Sequence, residues 1–363
     1  MKKISFFLFL SVIFFLTGCS SANIAKKSVA PVPVRNVILM IGDGMGLNHM
    51  YAAYTVSADS LAIESCQYVG LVKTYAANGY NTDSAAAGTA IACGEKTNNG
   101  MVGIRPDSTR LKSILEYAAD NDLATGMVVT CELTHATPAS FVAHVISRSE
   151  NENIALDLAR SKINVAIGGG RKYFENRSDN KNLTDTMKAK GFRVAYTMDE
   201  VKDTRDENLL ALLADVSLET YPARGEMLPE AVNTAVNILN FNKKGFFLMV
   251  EGSQIDWAAH ENSQENVVNE TRDFDRAVKI AFDFAKRDGN TLVIVTADHE
   301  TGCMGILGGN LQTGQLNATF SSKGHTGVPV PVYTFGPRAE KFSGIFDNTD
   351  FLPKILNLYQ INR

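Results

Sequence analysis

The chain has 363 residues, 45% of them hydrophobic, which suffices for one large buried core or two smaller ones. A formal net charge of −4 excludes the basic footprint by which a nucleic-acid binder is recognised. Five cysteines occur with none in a CxxC pair, which argues against a site built from thiolates.

At the N-terminus, Lys2 and Lys3 precede an uncharged apolar stretch from Ile4 to Gly18. It is short for a membrane span and has the form of a signal peptide over residues 1–18. Leu16-Thr17-Gly18-Cys19 resembles a bacterial lipobox, so Cys19 is the expected lipidation site and residues 19–35 a flexible tether. Acyl chains there would anchor an exported protein to a membrane, as a periplasmic or cell-envelope lipoprotein. Export permits disulfides, but the spacings of Cys66, Cys93, Cys131 and Cys303 show no framework, and buried free thiols are expected.

From residue 36 onward, strand and helix signals alternate. Val37–Ile41, Ala124–Thr130, Asn164–Ile167, Phe246–Val250, Thr291–Val295 and Val330–Phe335 read as strands. Helices are expected over Thr82–Ala92, over Thr109–Ala119, after Pro229, and from Val267 to Phe282. Gly168-Gly169-Gly170 lacks phosphate-loop spacing and reads as a tight strand exit. Residues 171–225 are polar and weakly periodic, and are expected as surface helices and loops. The alternation predicts an α/β fold with a mostly parallel sheet and helices on both faces.

Chemistry concentrates where apolar runs end. Val37–Ile41 leads into Gly42-Asp43-Gly44, Phe246–Val250 into Glu251, Asp256 and His260, and Thr291–Val295 into Asp298-His299. Open α/β sheets place their sites at such carboxyl ends. Asp, Glu and His together suit Zn²⁺ and Mg²⁺. Asp256 and His260 are four residues apart, so one helical turn points both at one ion. Ser84 opens a run of small residues, placing its hydroxyl at a helix N-terminus that favours an anion.

Gly42-Asp43-Gly44-Met45-Gly46, Thr82-Asp83-Ser84-Ala85-Ala86, His135-Ala136-Thr137-Pro138, Glu251 with Asp256 and His260, Thr296-Ala297-Asp298-His299 and His325-Thr326-Gly327 follow one another in the order seen in alkaline phosphatases. The chain resembles that family from about residue 35 to its C-terminus. The resemblance implies a three-layer sandwich with a mostly parallel central sheet flanked by helices, formed by a catalytic domain at residues 36–363. The short stretch between His299 and His325 leaves room for little or no crown domain.

The resemblance further implies hydrolysis of phosphate monoesters through a phosphoserine on Ser84, with Arg148 gripping the phosphate. Asp256, His260 and His325 would hold one zinc, and Asp43, Asp298 and His299 a second. Asp43, Thr137 and Glu251 match a third site, usually Mg²⁺. The chemistry agrees with these roles: a serine hydroxyl needs activation, two metal ions clamp an in-line transfer, and a guanidinium fork matches phosphate. A homodimer is likewise implied.

Two departures stand out. His135 and Trp257 occupy positions where the best-known bacterial members carry Asp and Lys. A nitrogen donor at His135 would favour Zn²⁺ or Co²⁺ over Mg²⁺ in the third site. The competing readings are a phosphodiesterase of the same superfamily, a sulfatase, and a binding lipoprotein without turnover. Arg148 disfavours the first by crowding a second ester group, Ala85-Ala86 after Ser84 disfavours the second, and the complete ligand set disfavours the third.

Overall fold

The computed structural model describes residues 32–57, 59–205 and 208–363. The expected signal peptide, Cys19 and all but the last residues of the tether lie outside the described residues. Val34 is buried and Arg35 donates to Asp288 Oδ1 at 3.0 Å, so packing begins just before residue 36. Among the described residues, no helix is long and apolar enough to cross a membrane.

Among the described residues the strands are β1 (Asn36–Gly42), β2 (Tyr68–Lys73), β3 (Ala124–Glu132), β4 (Val165–Gly169), β5 (Phe192–Ala195), β6 (Asn208–Leu212), β7 (Phe246–Gly252), β8 (Thr291–Thr296), β9 (Glu300–Thr301), β10 (Met304–Asn310), β11 (Gln315–Phe320), β12 (His325–Thr326), β13 (Val330–Phe335) and β14 (Gly344–Asp347). The α-helices among the described residues are α1 (Leu47–Val56), α2 (Ser84–Cys93), α3 (Ile114–Asp120), α4 (Ala136–Ala139), α5 (Asn151–Arg160), α6 (Arg171–Glu175), α7 (Leu183–Ala189), α8 (Met198–Lys202), α9 (Met227–Leu239), α10 (Gln254–His260), α11 (Gln264–Asp288) and α12 (Phe351–Tyr359).

Ten strands form one sheet in the order β14-β2-β13-β8-β1-β7-β3-β4-β6-β5. Neighbours are parallel except where β13 runs against β2 and β8. β1, β7 and β8 are buried at every position. That is why they read as unbroken apolar runs rather than alternating ones, because helices cover both faces of a parallel sheet. Helices α9 and α11 pack on each other and on the central strands, while α2, α3 and α12 form another group.

Three expectations need correction. Helix α3 starts at Ile114 rather than Thr109: Ser113 caps it by accepting from the Glu116 amide, and an Ile104–Arg110 bridge holds the preceding residues extended. Between residues 171 and 225 the chain makes β5 and β6 as well as helices, adding two strands to one edge of the sheet. The run Leu209–Leu212 is buried but too short to stand out in polar surroundings. All four described cysteines are free, yet only Cys93 and Cys131 are buried; Cys66 is half-buried and Cys303 exposed. Between His299 and His325 the chain forms little more than the β10–β11 hairpin.

Candidate active site

The parallel core brings the chemistry together. In register, Ile41 of β1 lies beside Glu251 of β7 and Thr296 of β8, and Glu251 lies beside Val129 of β3. The carboxyl ends of four adjacent strands therefore deliver Asp43, Glu251, Asp298 with His299, and Cys131 with His135 to one place. The turn after β1 needs Gly44, whose φ is +70° and whose added Cβ would lie 2.9 Å from the Asp256 backbone. That close approach sets Asp43 beside α10.

One cluster joins Asp43, Asp298 and His299, all buried. His299 Nε2 is 3.5 Å from Asp43 Oδ1 and 3.2 Å from Asp298 Oδ2. A second joins Asp256, His260 and His325. His260 Nε2 is 3.3 Å from Asp256 Oδ2, His325 Nε2 is 3.6 Å from Asp256 Oδ1, and the two Nε2 atoms are 3.1 Å apart. His299 also comes within reach of Asp256 and His325.

Each of these histidines has its other nitrogen tied back. His260 Nδ1 donates to the Lys323 carbonyl at 2.5 Å and His325 Nδ1 to the Thr82 carbonyl at 2.8 Å. His299 Nδ1 is 3.3 Å from Thr301 Oγ1, which itself donates to Asp256 Oδ1 at 2.5 Å. Holding Nδ1 this way fixes the tautomer and turns the Nε2 lone pairs into the cluster, as ligating histidines require.

The third grouping contains Glu251, His135 and Cys131. Thr137 Oγ1 donates to Asp43 Oδ2 at 3.4 Å, linking this region to the first cluster. The Trp257 ring meets His135 edge-on at 5.9 Å. Ser84 starts α2, which is buried throughout and built of small residues; its Oγ lies 3.3 Å from His299 Nε2. Arg148, in the loop before α5, donates Nη1 to Asp83 Oδ2 at 3.1 Å and Nη2 to His135 Nε2 at 3.3 Å.

The buried carboxylates of the site repel one another. Burial, then the neighbouring Asp298, raises Glu251 to about 8. Burial and the carboxylates of Asp298, Asp256 and Glu251 push Asp43 well up, against the pull of Arg148. Burial would also raise Asp256, but its bond to His260 and the nearby His299 outweigh this and hold it down. The Asp256 bond lifts His260 to about 9. Asp43 Oδ1, Asp298 Oδ2, Glu251 Oε1 and His135 Nδ1 are buried without any hydrogen-bond partner. Buried carboxylates are kept charged by partners or metals, so this donor set fits divalent cations.

Every candidate nucleophile, phosphate-binding and metal-ligating residue from the sequence thus lies in this region, while Cys19 is outside the described residues. Three supporting residues escaped sequence reasoning. Asp83 reads as a helix cap but also holds Arg148, Thr301 has no motif, and Cys131 reads only as a buried free thiol outside any CxxC pair. His144 serves the loop before α3: its Nδ1 faces Arg110 Nη2 at 2.8 Å and its Nε2 the Leu111 carbonyl at 2.7 Å. His49 is buried and accepts from the Gly46 amide at 3.0 Å, a structural role. Glu300 accepts from Thr326 Oγ1 and the Met304 amide, bracing the strand that bears His325.

Comparison with known proteins agrees with this geometry. A family model described as alkaline phosphatase matches residues 34–319. Alkaline phosphatase 4 of Bacillus subtilis is 36% identical, over 90% of this chain and 89% of that protein. The alkaline phosphatase of Escherichia coli is 33% identical, over 92% of this chain and 88% of its own. The structure of alkaline phosphatase from the Antarctic bacterium TAB5 superposes with a TM-score of 0.86 at 38% identity, covering 92% of this chain and all of that one. A His-to-Asp variant of that enzyme, with Mg bound in its M3 site, gives a TM-score of 0.87 at 37% identity over the same shares. The chain belongs to the alkaline phosphatase family and is a phosphomonoesterase.

Proposed function

We propose that this phosphomonoesterase works through a phosphoseryl intermediate on Ser84, with two zinc ions and a third cation in the buried clusters. The supporting observation is the set of orphaned buried oxygens on Asp43, Glu251 and Asp298 around histidine nitrogens locked to face them. Asp256, His260 and His325 would hold one zinc and Asp43, Asp298 and His299 the other. Glu251, with Asp43, Thr137 and His135 beside it, would hold the third ion, either Mg²⁺ or, given the imidazole, Zn²⁺ or Co²⁺. When bound, these cations supply Lewis-acid stabilisation of the attacking and leaving oxygens.

The remaining steps belong to the protein. Arg148 binds two phosphoryl oxygens through its planar fork, and Asp83 fixes where that fork points. Ser84 Oγ loses its proton to solvent and forms a bond to phosphorus as the bond to the leaving oxygen breaks, and that oxygen takes a proton from solvent to leave as the alcohol. Water then attacks phosphorus, breaking the Ser84–phosphorus bond and releasing inorganic phosphate. Binding centred on the phosphoryl group gives little selection among alcohols.

The test is hydrolysis of p-nitrophenyl phosphate against bis-p-nitrophenyl phosphate at alkaline pH with zinc and magnesium supplied. A strong monoester preference abolished by chelator is expected. A diester preference would assign the chain to the phosphodiesterase branch instead. Ser84→Ala should remove most turnover, keep its zinc, and yield no phosphoseryl peptide in mass spectra; near parental turnover would sink the covalent route.

The same reading extends to export, lipidation at Cys19, a tether over residues 19–35 and pairing as a homodimer. The lipobox-like Leu16-Thr17-Gly18-Cys19 supports the lipid anchor. Radiolabelled palmitate should enter the parent and not Cys19→Ser; equal labelling would rule the anchor out.

A further inference from the structure

We propose that the Cys131 thiol is itself a ligand of the third cation site, making it a mixed sulfur, nitrogen and oxygen site selective for zinc or cobalt over magnesium. This deepens the metal-dependent phosphatase reading and rests on it. Cys131 sits one residue before the end of β3, in the strand beside β7. Its Sγ lies 3.5 Å from Glu251 Oε2. One donor atom each from Cys131, His135 and Glu251 falls within 4.8 Å of the others.

A second observation is independent of the sulfur. Glu251 is fully buried and its Oε1 has no partner, and His135 Nδ1 is likewise buried and unpartnered. The two residues that share the group with the thiol thus each carry a buried atom without a partner. A cysteine kept only for packing behaves as a small hydrophobe among apolar groups; this one lies 3.3 Å from the Glu132 carbonyl and also faces the Glu251 carboxylate. Cys93, the other buried thiol among the described residues, belongs to no such group of donors.

The donor chemistry decides the ion. Magnesium demands an octahedron of oxygens and gives up water reluctantly. Thiolate and imidazole donors favour zinc and cobalt. On coordination the Cys131 S–H bond is replaced by a metal–sulfur bond and one proton passes to solvent. The site would then differ in kind from one made of carboxylates and a hydroxyl alone.

The experiment strips the full chain of metal, reloads it with Co²⁺, and records bound metal and near-ultraviolet absorption for the parent, Cys131→Ser and Cys131→Ala. The parent should show sulfur-to-cobalt charge transfer. Both variants should lose it while keeping the cobalt held by the other clusters. Their third-site preference for zinc over magnesium should fall by at least about tenfold, the size of loss that even outer-shell changes produce. A fully loaded parent without that absorption, or an absorption that survives in Cys131→Ala, overturns the thiol ligand. A parent that binds no cobalt at all overturns the metal reading beneath it. The parent spectrum decides the matter even where a variant fails to fold.

Discussion

Asp83 serves two structures with one carboxylate. Its Oδ1 accepts from the Ala86 amide and so caps the helix that begins at Ser84. Its Oδ2 accepts from the Gly100 amide at 3.0 Å and from Arg148 Nη1 at 3.1 Å. The proposed nucleophile and the proposed phosphate grip are therefore positioned by the same side chain. Arg148→Ala should weaken inhibition by inorganic phosphate and lower kcat/KM for monoesters by roughly 10- to 100-fold, the value of charge-assisted hydrogen bonds. Diester hydrolysis should fall less, because a second ester group has no use for the fork; equal losses on both would remove Arg148 from the specificity argument. Asp83→Asn leaves an oxygen to cap α2 but weakens the hold on Arg148. Its effect should be smaller, and Asp83→Asn combined with Arg148→Ala should lose little beyond Arg148→Ala alone. Fully additive losses would show that Asp83 acts on Ser84 rather than on the guanidinium.

Helix α11 runs 25 residues, packs on several central strands, and its buried residues include Glu270, Asp273 and Asp275. Arg224 donates Nη1 to Glu270 Oε1 at 3.0 Å and Nη2 to Asp273 Oδ2 at 2.7 Å, so one guanidinium faces two buried carboxylates. Arg276 adds a weaker contact to Asp273 Oδ1 at 3.6 Å. Burial pushes Asp273 up to about 6 even though Arg224 pulls it down. The folded state therefore holds this proton more tightly than the unfolded chain, whose Asp titrates near 3.9. The associated stability is fully present below about pH 4 and is lost as pH rises through 6. Asp273→Asn cannot ionise, so relative to the parent it should gain up to about 3 kcal/mol between pH 4 and pH 8. Denaturant midpoints of both proteins across that range test this. A constant gap would mean that Arg224 and Arg276 fully compensate the second carboxylate.

At the scale of the whole molecule, the central sheet was legible in the sequence because β1, β7 and β8 are buried on both faces and leave no polar interruption. The outer strands β6 and β5 were not, since four or five residues inside a polar segment give too weak a period. The candidate site was legible because its acids and histidines fall just past those apolar runs; Cys131, just past the expected strand Ala124–Thr130 and outside any CxxC pair, read only as a buried free thiol. The same architecture that made the site readable also stores unfavourable charge. Adjacent parallel strands place Asp43, Glu251, Asp256 and Asp298 together in the interior, three of them with an oxygen that nothing in the protein satisfies. Cations bound there should stabilise the entire fold, by about 2.7 kcal/mol per site when free metal stands 100-fold above its Kd. Dialysis against chelator should therefore lower the melting temperature in calorimetry, and restoring Zn²⁺ should recover it. Calcium should recover less, because imidazole nitrogens suit zinc better than a hard oxygen-seeking ion. If protein shown by elemental analysis to be free of metal melted where the loaded protein does, the buried carboxylates would have to be neutral in both states, and the three clusters would not be cation sites.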